Sequence, residues 1–117
     1  MITSKTIVLP DDGWTNPYIV LADKRNGNLL NVTTGEVGAD VAWGDAKVVG
    51  TRHAQSNDWV FEIAAIDDGY EYLFSVCDSS EPAKTDARAW TSYYSAKHDT
   101  FWGLLFPVES SRVRVAG

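Results

Sequence analysis

The chain has 117 residues, 44% of them hydrophobic, with five Trp, five Tyr and four Phe, so it makes one domain with its own core and is no disordered acidic tail. Ten basic residues against sixteen acidic ones leave a formal charge of −6, which repels a phosphate backbone when no basic patch is segregated and excludes nucleic acid as an expected partner. Cys77 stands alone, which excludes an internal disulfide framework and a cysteine-based metal cluster.

The N-terminal "MITSKTIVLPDDGW" carries one lysine and an apolar run too short for a signal peptide or a membrane span. The expected setting is therefore the cytoplasm, or release without a classical signal peptide, with no membrane insertion. "KTIVLP" and "PYIVLAD" read as the first two strands, separated by "PDDG". "KRNGN" holds the clearest turn, since Asn-Gly readily supplies the positive φ angles of a tight hairpin. "NLLNVTT" and "ADVAWGD" follow as strands with "TTGEVG" as a breaker between them. "DWVFEIAAI" and "YEYLFSV" then flank "IDDGY", where Asp67 and Asp68 before Gly69 read as a hairpin turn. After the breaker "DSSEPAKTD" come "ARAWTSYY", "FWGLLFPV" and "SRVRVAG". The apolar spacing is mostly two, and "AWTSYYSAKHD" has no apolar stripe that would carry a helix beyond one turn. Nine short strands in one small domain predict an all-β barrel, sandwich or trefoil over residues 1–117.

An internal period narrows that choice. Trp14, Trp59 and Trp102 are separated by 45 and 43 residues, and each follows small or acidic residues in "PDDGW", "QSNDW" and "KHDTFW". A strand-like cluster precedes each and another follows. In detail, Tyr18 to Glu62 resembles one repeat of the ricin B-like β-trefoil lectins, with "GNLLNV", "GADV" and "NDWVF" matching that family's turn, strand and tryptophan strand. Tyr70 to Phe106 makes a poorer copy through "YEYLFSVCDSS", "DARAWTS" and "HDTFW", and a third would be split between the chain ends, leaving room for a second copy of the chain as a homo-oligomeric partner.

The resemblance implies a β-trefoil that binds glycans or glycoproteins without catalysis, cofactor or metal. Sites of that family stack an aromatic ring on the C–H face of a pyranose and bond its hydroxyls with an Asp and an amide. In the first copy Asn31, Trp43 and Asn57 stand at or beside those positions. The second copy offers Asp78, Trp90, Tyr93, His98 and Asp99, a fuller set. Other readings of the same residues stay open. Trp14, Trp59 and Trp102 fit core packing, Asp78 fits a turn, and His98 and Asp99 fit a loop. His53 and His98, with Asp58, Asp99 and Cys77, are the conceivable catalytic groups, but no nucleophile elbow, phosphate-cradling glycine run or metal-ligand histidine pair accompanies them. "GWTNPYIVL" and "ARAWTSYYSAKHDTF" also resemble avidin-like biotin binders, which would place Trp43, Trp59 and Trp90 around a pocket and Asp99 on the ureido group. A trefoil without sugar sites could instead inhibit a protease through the loops "DSSEPAKTD" or "GDAKVVGTRHAQSN".

Overall fold

The computed structural model describes residues 1–11, 13–78, 92–103 and 112–116. Within them lie eleven strands: β1 (Ile2–Leu9), β2 (Tyr18–Asp23), β3 (Leu29–Leu30), β4 (Val37–Gly38), β5 (Val48–Val49), β6 (Thr51–Arg52), β7 (Trp59–Asp67), β8 (Glu71–Cys77), β9 (Ser92–Ser95), β10 (Thr100–Gly103) and β11 (Arg114–Val115). One short helix, α1 (Trp43–Ala46), interrupts them.

All pairings are antiparallel and form two sheets. One has four strands in the order β11-β1-β7-β6; the other has seven, ordered β10-β9-β8-β2-β3-β4, with β5 added beside β2. Neither is closed into a barrel. The period-two pattern of β7 buries Trp59, Phe61 and Ile63 and turns Glu62 and Ala64 to solvent. Those inward residues join Ile7 and Leu9 of β1 against Ile19 and Leu21 of β2, Tyr72 and Phe74 of β8, and Tyr94 of β9. One core thus lies between two facing sheets.

Strand β2 is buried along all six residues because its second face is covered too. Tyr18, Val20 and Ala22 pack there with Leu73 and with Ala46 of α1, and half-buried Val41 and Trp43 close over them. "ADVAWGD", expected as a strand, therefore supplies the cover for a sheet face: a turn and α1. Two further differences come from length. β4 lies inside the "TTGEVG" breaker, and β5 and β6 lie in "KVVGTR"; strands of two residues are too short to show an alternation.

Four hairpin tips share one design. Asp23, Asn31 and His53 each donate their backbone N–H to the carbonyl five residues on, at Asn28, Glu36 and Asp58, and accept at their own carbonyl the N–H of Gly27, Gly35 and Asn57. Each first side chain also accepts backbone N–H groups inside the tip: Arg25 on Asp23, Thr33 and Thr34 on Asn31, Gln55 and Ser56 on His53 Nδ1. Ser95 repeats this by accepting the N–H of His98, with Thr100 paired to Ser95 across the hairpin. The fifth residue needs the left-handed backbone, and it is Gly27 (φ 75°), Gly35 (φ 80°), Asn57 (φ 62°) or Asp99 (φ 52°), the residue types that bear that conformation at least cost. The "KRNGN" turn is thus found where expected. The "IDDGY" turn is found as well, with the N–H of Gly69 on Asp67 Oδ1 at 2.9 Å, but it is a corner that carries the chain from one sheet to the other.

The three spaced tryptophans stand in three settings. Trp14 lies half-buried in the β1–β2 loop, Trp59 opens β7 and is 7% exposed, and Trp102 on β10 is 37% exposed. The expectation of a core residue holds for Trp59 and is corrected for Trp102, whose strand is the last of its sheet among the described residues.

Candidate functional site

Four of the residues picked out for sugar binding serve hairpin tips. The Oδ1 of Asn31 is engaged by the amides of Thr33 and Thr34, at 3.0 and 3.2 Å, and Asn57 supplies a left-handed corner. His98 sits in the β9–β10 tip beside Asp99. Asp99 Oδ1 accepts the Tyr94 hydroxyl at 2.7 Å and the Lys5 ammonium at 2.8 Å, so it ties β1 of one sheet to a hairpin of the other. Burial works to raise the Asp99 carboxyl, but the Lys5 and Tyr94 hydrogen bonds outweigh it and hold the group below its ordinary value. Burial, with Asp99 as partner, pushes the Tyr94 hydroxyl far above the usual range.

Asp78 has a long-range structural task. Its carboxylate accepts the backbone N–H groups of Thr15 and Asn16, at 3.0 and 2.6 Å, and so anchors the β1–β2 loop to the end of β8. Trp43 meets Tyr18 edge-on, with ring centroids 6.3 Å apart. It lies on the outer face of the seven-stranded sheet, whereas Trp59 belongs to the core between the sheets, so these two indoles do not share one pocket. Trp90 and the loop "DSSEPAKTD", apart from Asp78, lie outside the described residues.

Tyr93 remains, and it is part of a larger arrangement. It stands opposite Trp102 in the β9–β10 register, and the two rings stack with centroids 5.5 Å apart and planes 23° from parallel. Lys24 Nζ lies 5.4 Å from the Tyr93 ring centre and 5.5 Å from that of Trp102, and is fixed by Glu71 Oε2 at 3.1 Å. Lys24 and Glu71 also line a cleft of 520 Å³ at the end of the sheet, with Arg25, Gly69 and Tyr70. In that cleft the Arg25 guanidinium rests 4.3 Å from the Tyr70 ring centre while it pairs with Asp23 at 2.7 Å. Hydrogen bonds from Arg25 are the main cause that holds the buried Asp23 carboxyl below its ordinary value, against the opposing effect of burial.

The exposed aromatic side chains among the described residues are Tyr70 and Trp102, and both belong to this strip. Paired cations and carboxylates between the rings cancel its net charge, leaving C–H-binding faces bordered by hydrogen-bond donors and acceptors. Lys24, Glu71 and Tyr70 were not expected from the sequence as site residues, and Trp102 was expected in the core. The available signal was the β9–β10 register, which sets Tyr93 against Trp102 once "SAKHDT" is recognised as a tip of the same form as "DKRNGN".

The groups considered for catalysis sit apart. His53 and His98 occupy tips on different sheets, His53 Nδ1 is bonded to its own turn, and Cys77 Sγ lies 3.7 Å from Ser75 Oγ on β8. Among the described residues no three His, Cys, Asp or Glu side chains come together as a metal site would require, and no helix is long and apolar enough to cross a membrane. Comparison of the chain with protein-family models, with curated proteins and with solved structures finds no match.

Proposed function

We propose that the protein is a carbohydrate-binding module that acts without catalysis, holding a neutral glycan on the Tyr93–Trp102 platform. The observation that carries this reading is the gathering of the exposed aromatic rings onto one strip whose charges are internally paired. An uncharged pyranose offers what that strip lacks, a C–H face for the rings and hydroxyls for the Lys24 ammonium and the Glu71 carboxylate. The ricin B-like resemblance supports sugar binding as well, although this platform asks nothing of a trefoil and uses only Tyr93 of the site residues the resemblance implies. Binding at one such open surface is weak, because each hydrogen bond replaces one to water, and useful strength comes from several contacts made together.

A glycan array followed by calorimetric titration tests the proposal on the wild-type protein, Trp102→Ala and Trp59→Ala. Trp102→Ala should weaken binding about tenfold, ~1.4 kcal/mol, with the unfolding midpoint close to that of the wild type. Trp59→Ala should cost about 3–5 kcal/mol of stability, as removal of a buried tryptophan does. An array with no bound glycan, or a Trp102→Ala protein that binds as the wild type does, would overturn the proposal.

A further inference from the structure

The β2–β3 tip is a ridge between two clefts. Lys24 and Arg25 line the one already described, and Asn26, Asn28 and Leu29 line a second of 540 Å³ together with Gly38, Val41 and Trp43. Leu29, Val41 and Trp43 give this second groove its apolar lining, and its indole meets Tyr18 edge-on. A Cβ placed on Gly38 would meet Asp40 N and Val41 Cγ2 at 3.9 Å, ordinary van der Waals contact, so the groove wall there tolerates a small side chain. The rim is made of amides. Asn26 Oδ1 accepts the N–H of Asn28 within the tip, so the NH₂ of Asn26 and the whole side-chain amide of Asn28 are left for a ligand. Among the described residues no charged side chain lines this groove, so its recognition falls to neutral groups.

The two clefts share an aromatic ring beside hydrogen-bonding groups with no net charge, supplied by ion-paired side chains in the first and by amides in the second. The ridge itself is one inter-strand spacing wide, about 5 Å. We infer that the protein takes an extended neutral glycan that crosses the β2–β3 tip, with the Tyr93–Trp102 platform and the Trp43 groove as two subsites on one chain of sugars. This rests on the carbohydrate reading above. Equatorially substituted, β-linked pyranoses suit it best, because they present flat C–H faces to rings while their hydroxyls point outward to the rim.

Cello-oligosaccharides and chito-oligosaccharides of one to six units, titrated by calorimetry, test the inference. In one of the two series affinity should rise at least tenfold from the dimer to the hexamer. Trp43→Ala should erase that gain and leave dimer binding unchanged, while Trp102→Ala weakens dimer and hexamer alike. Because Trp43 packs on Tyr18, Asn28→Ala provides a second variant on the exposed rim, and should remove part of the gain without loss of fold. Equal affinity for dimer and hexamer, or a folded Trp43→Ala or Asn28→Ala protein that keeps the whole gain, would overturn the two-subsite glycan. If an array glycan binds and neither series does, the β-linked chain is wrong and the carbohydrate reading stands. If no glycan of any kind binds, both fall together.

Discussion

Substitution of Asp99 separates a structural strut from a ligand group, and the geometry fixes the order of effects. Asp99 accepts the buried Tyr94 hydroxyl and the Lys5 ammonium while holding a φ of 52°. Asp99→Asn keeps an acceptor for Tyr94 and a residue type that tolerates the left-handed backbone. It loses only the charge toward Lys5, and with the Asp99 side chain 42% exposed that ion pair is screened by solvent, so about 0–1 kcal/mol is expected. Asp99→Ala strands a buried hydroxyl, about 1–3 kcal/mol, and adds a left-handed alanine, about 1 kcal/mol, for a total of roughly 2–4 kcal/mol. Asp99→Gly falls between, since it relieves the backbone but not the hydroxyl. Urea unfolding followed by tryptophan fluorescence reads all three, and a double-mutant cycle with Tyr94→Phe isolates the shared hydrogen bond. The reasoning fails if Asn and Ala cost the same, or if Tyr94→Phe and Asp99→Ala add without coupling.

Two further outcomes follow from the tips and their carboxylates. Asp23, Asp67 and Asp99 are each held below their ordinary values, Asp23 chiefly by Arg25, Asp67 chiefly by the N–H of Gly69, and Asp99 by Lys5 and Tyr94 against burial. A carboxyl lowered on folding contributes stability that is complete above its unfolded pKa, near 4, and is lost as the pH falls through the folded value, so unfolding midpoints should be level above about pH 5 and drop below about pH 4. Asp99→Asn should flatten part of that drop, and an unchanged acid slope in this variant would count against the strut. Asn57→Gly should leave stability within about 0.5 kcal/mol of the wild type, whereas Asn57→Val should cost more than 1 kcal/mol by placing a β-branched residue at φ 62°. Thermal melts of the two variants check this, and equal melting points would refute the left-handed requirement.

The all-β class was legible because the long strands write their burial into the sequence: "WVFEIAAID" alternates, and "YIVLAD" is nearly all apolar because both faces of β2 are covered. The packing of two open sheets was not legible, because strands of two residues leave no periodic trace and because a sheet-to-sheet corner and a hairpin turn use the same Asp-Asp-Gly. The candidate site was legible only at Tyr93. Asn31, Asn57, Asp78 and Asp99 resemble sugar ligands in type, since a side chain that satisfies backbone N–H groups at a tip and one that bonds hydroxyls are drawn from the same short list of residues. The sequence does carry a repeat, but its unit is the tip, as in "DKRNGN", "NVTTGE", "HAQSND" and "SAKHDT", each with a polar acceptor first and Gly, Asn or Asp fifth. The evenly spaced tryptophans have unlike settings, since Trp59 closes a core and Trp102 lies on a surface.

Lys24 rests on the platform and still leaves part of it in solvent: its Nζ lies 5.4 and 5.5 Å from the two ring centres, within cation–π range, and pairs with Glu71 at 3.1 Å, while Trp102 keeps 37% of its surface exposed. Among the described residues the cover built by Val41, Trp43 and Ala46 lies against β2, Tyr93 of β9 packs against the same cluster, and Trp102 of β10 stays exposed. An exposed apolar patch rimmed by polar groups marks a surface at which a ligand or partner can sit. A ligand with one apolar face and one hydroxylated face fits that surface, since its hydroxyls face the water while its C–H groups cover the rings.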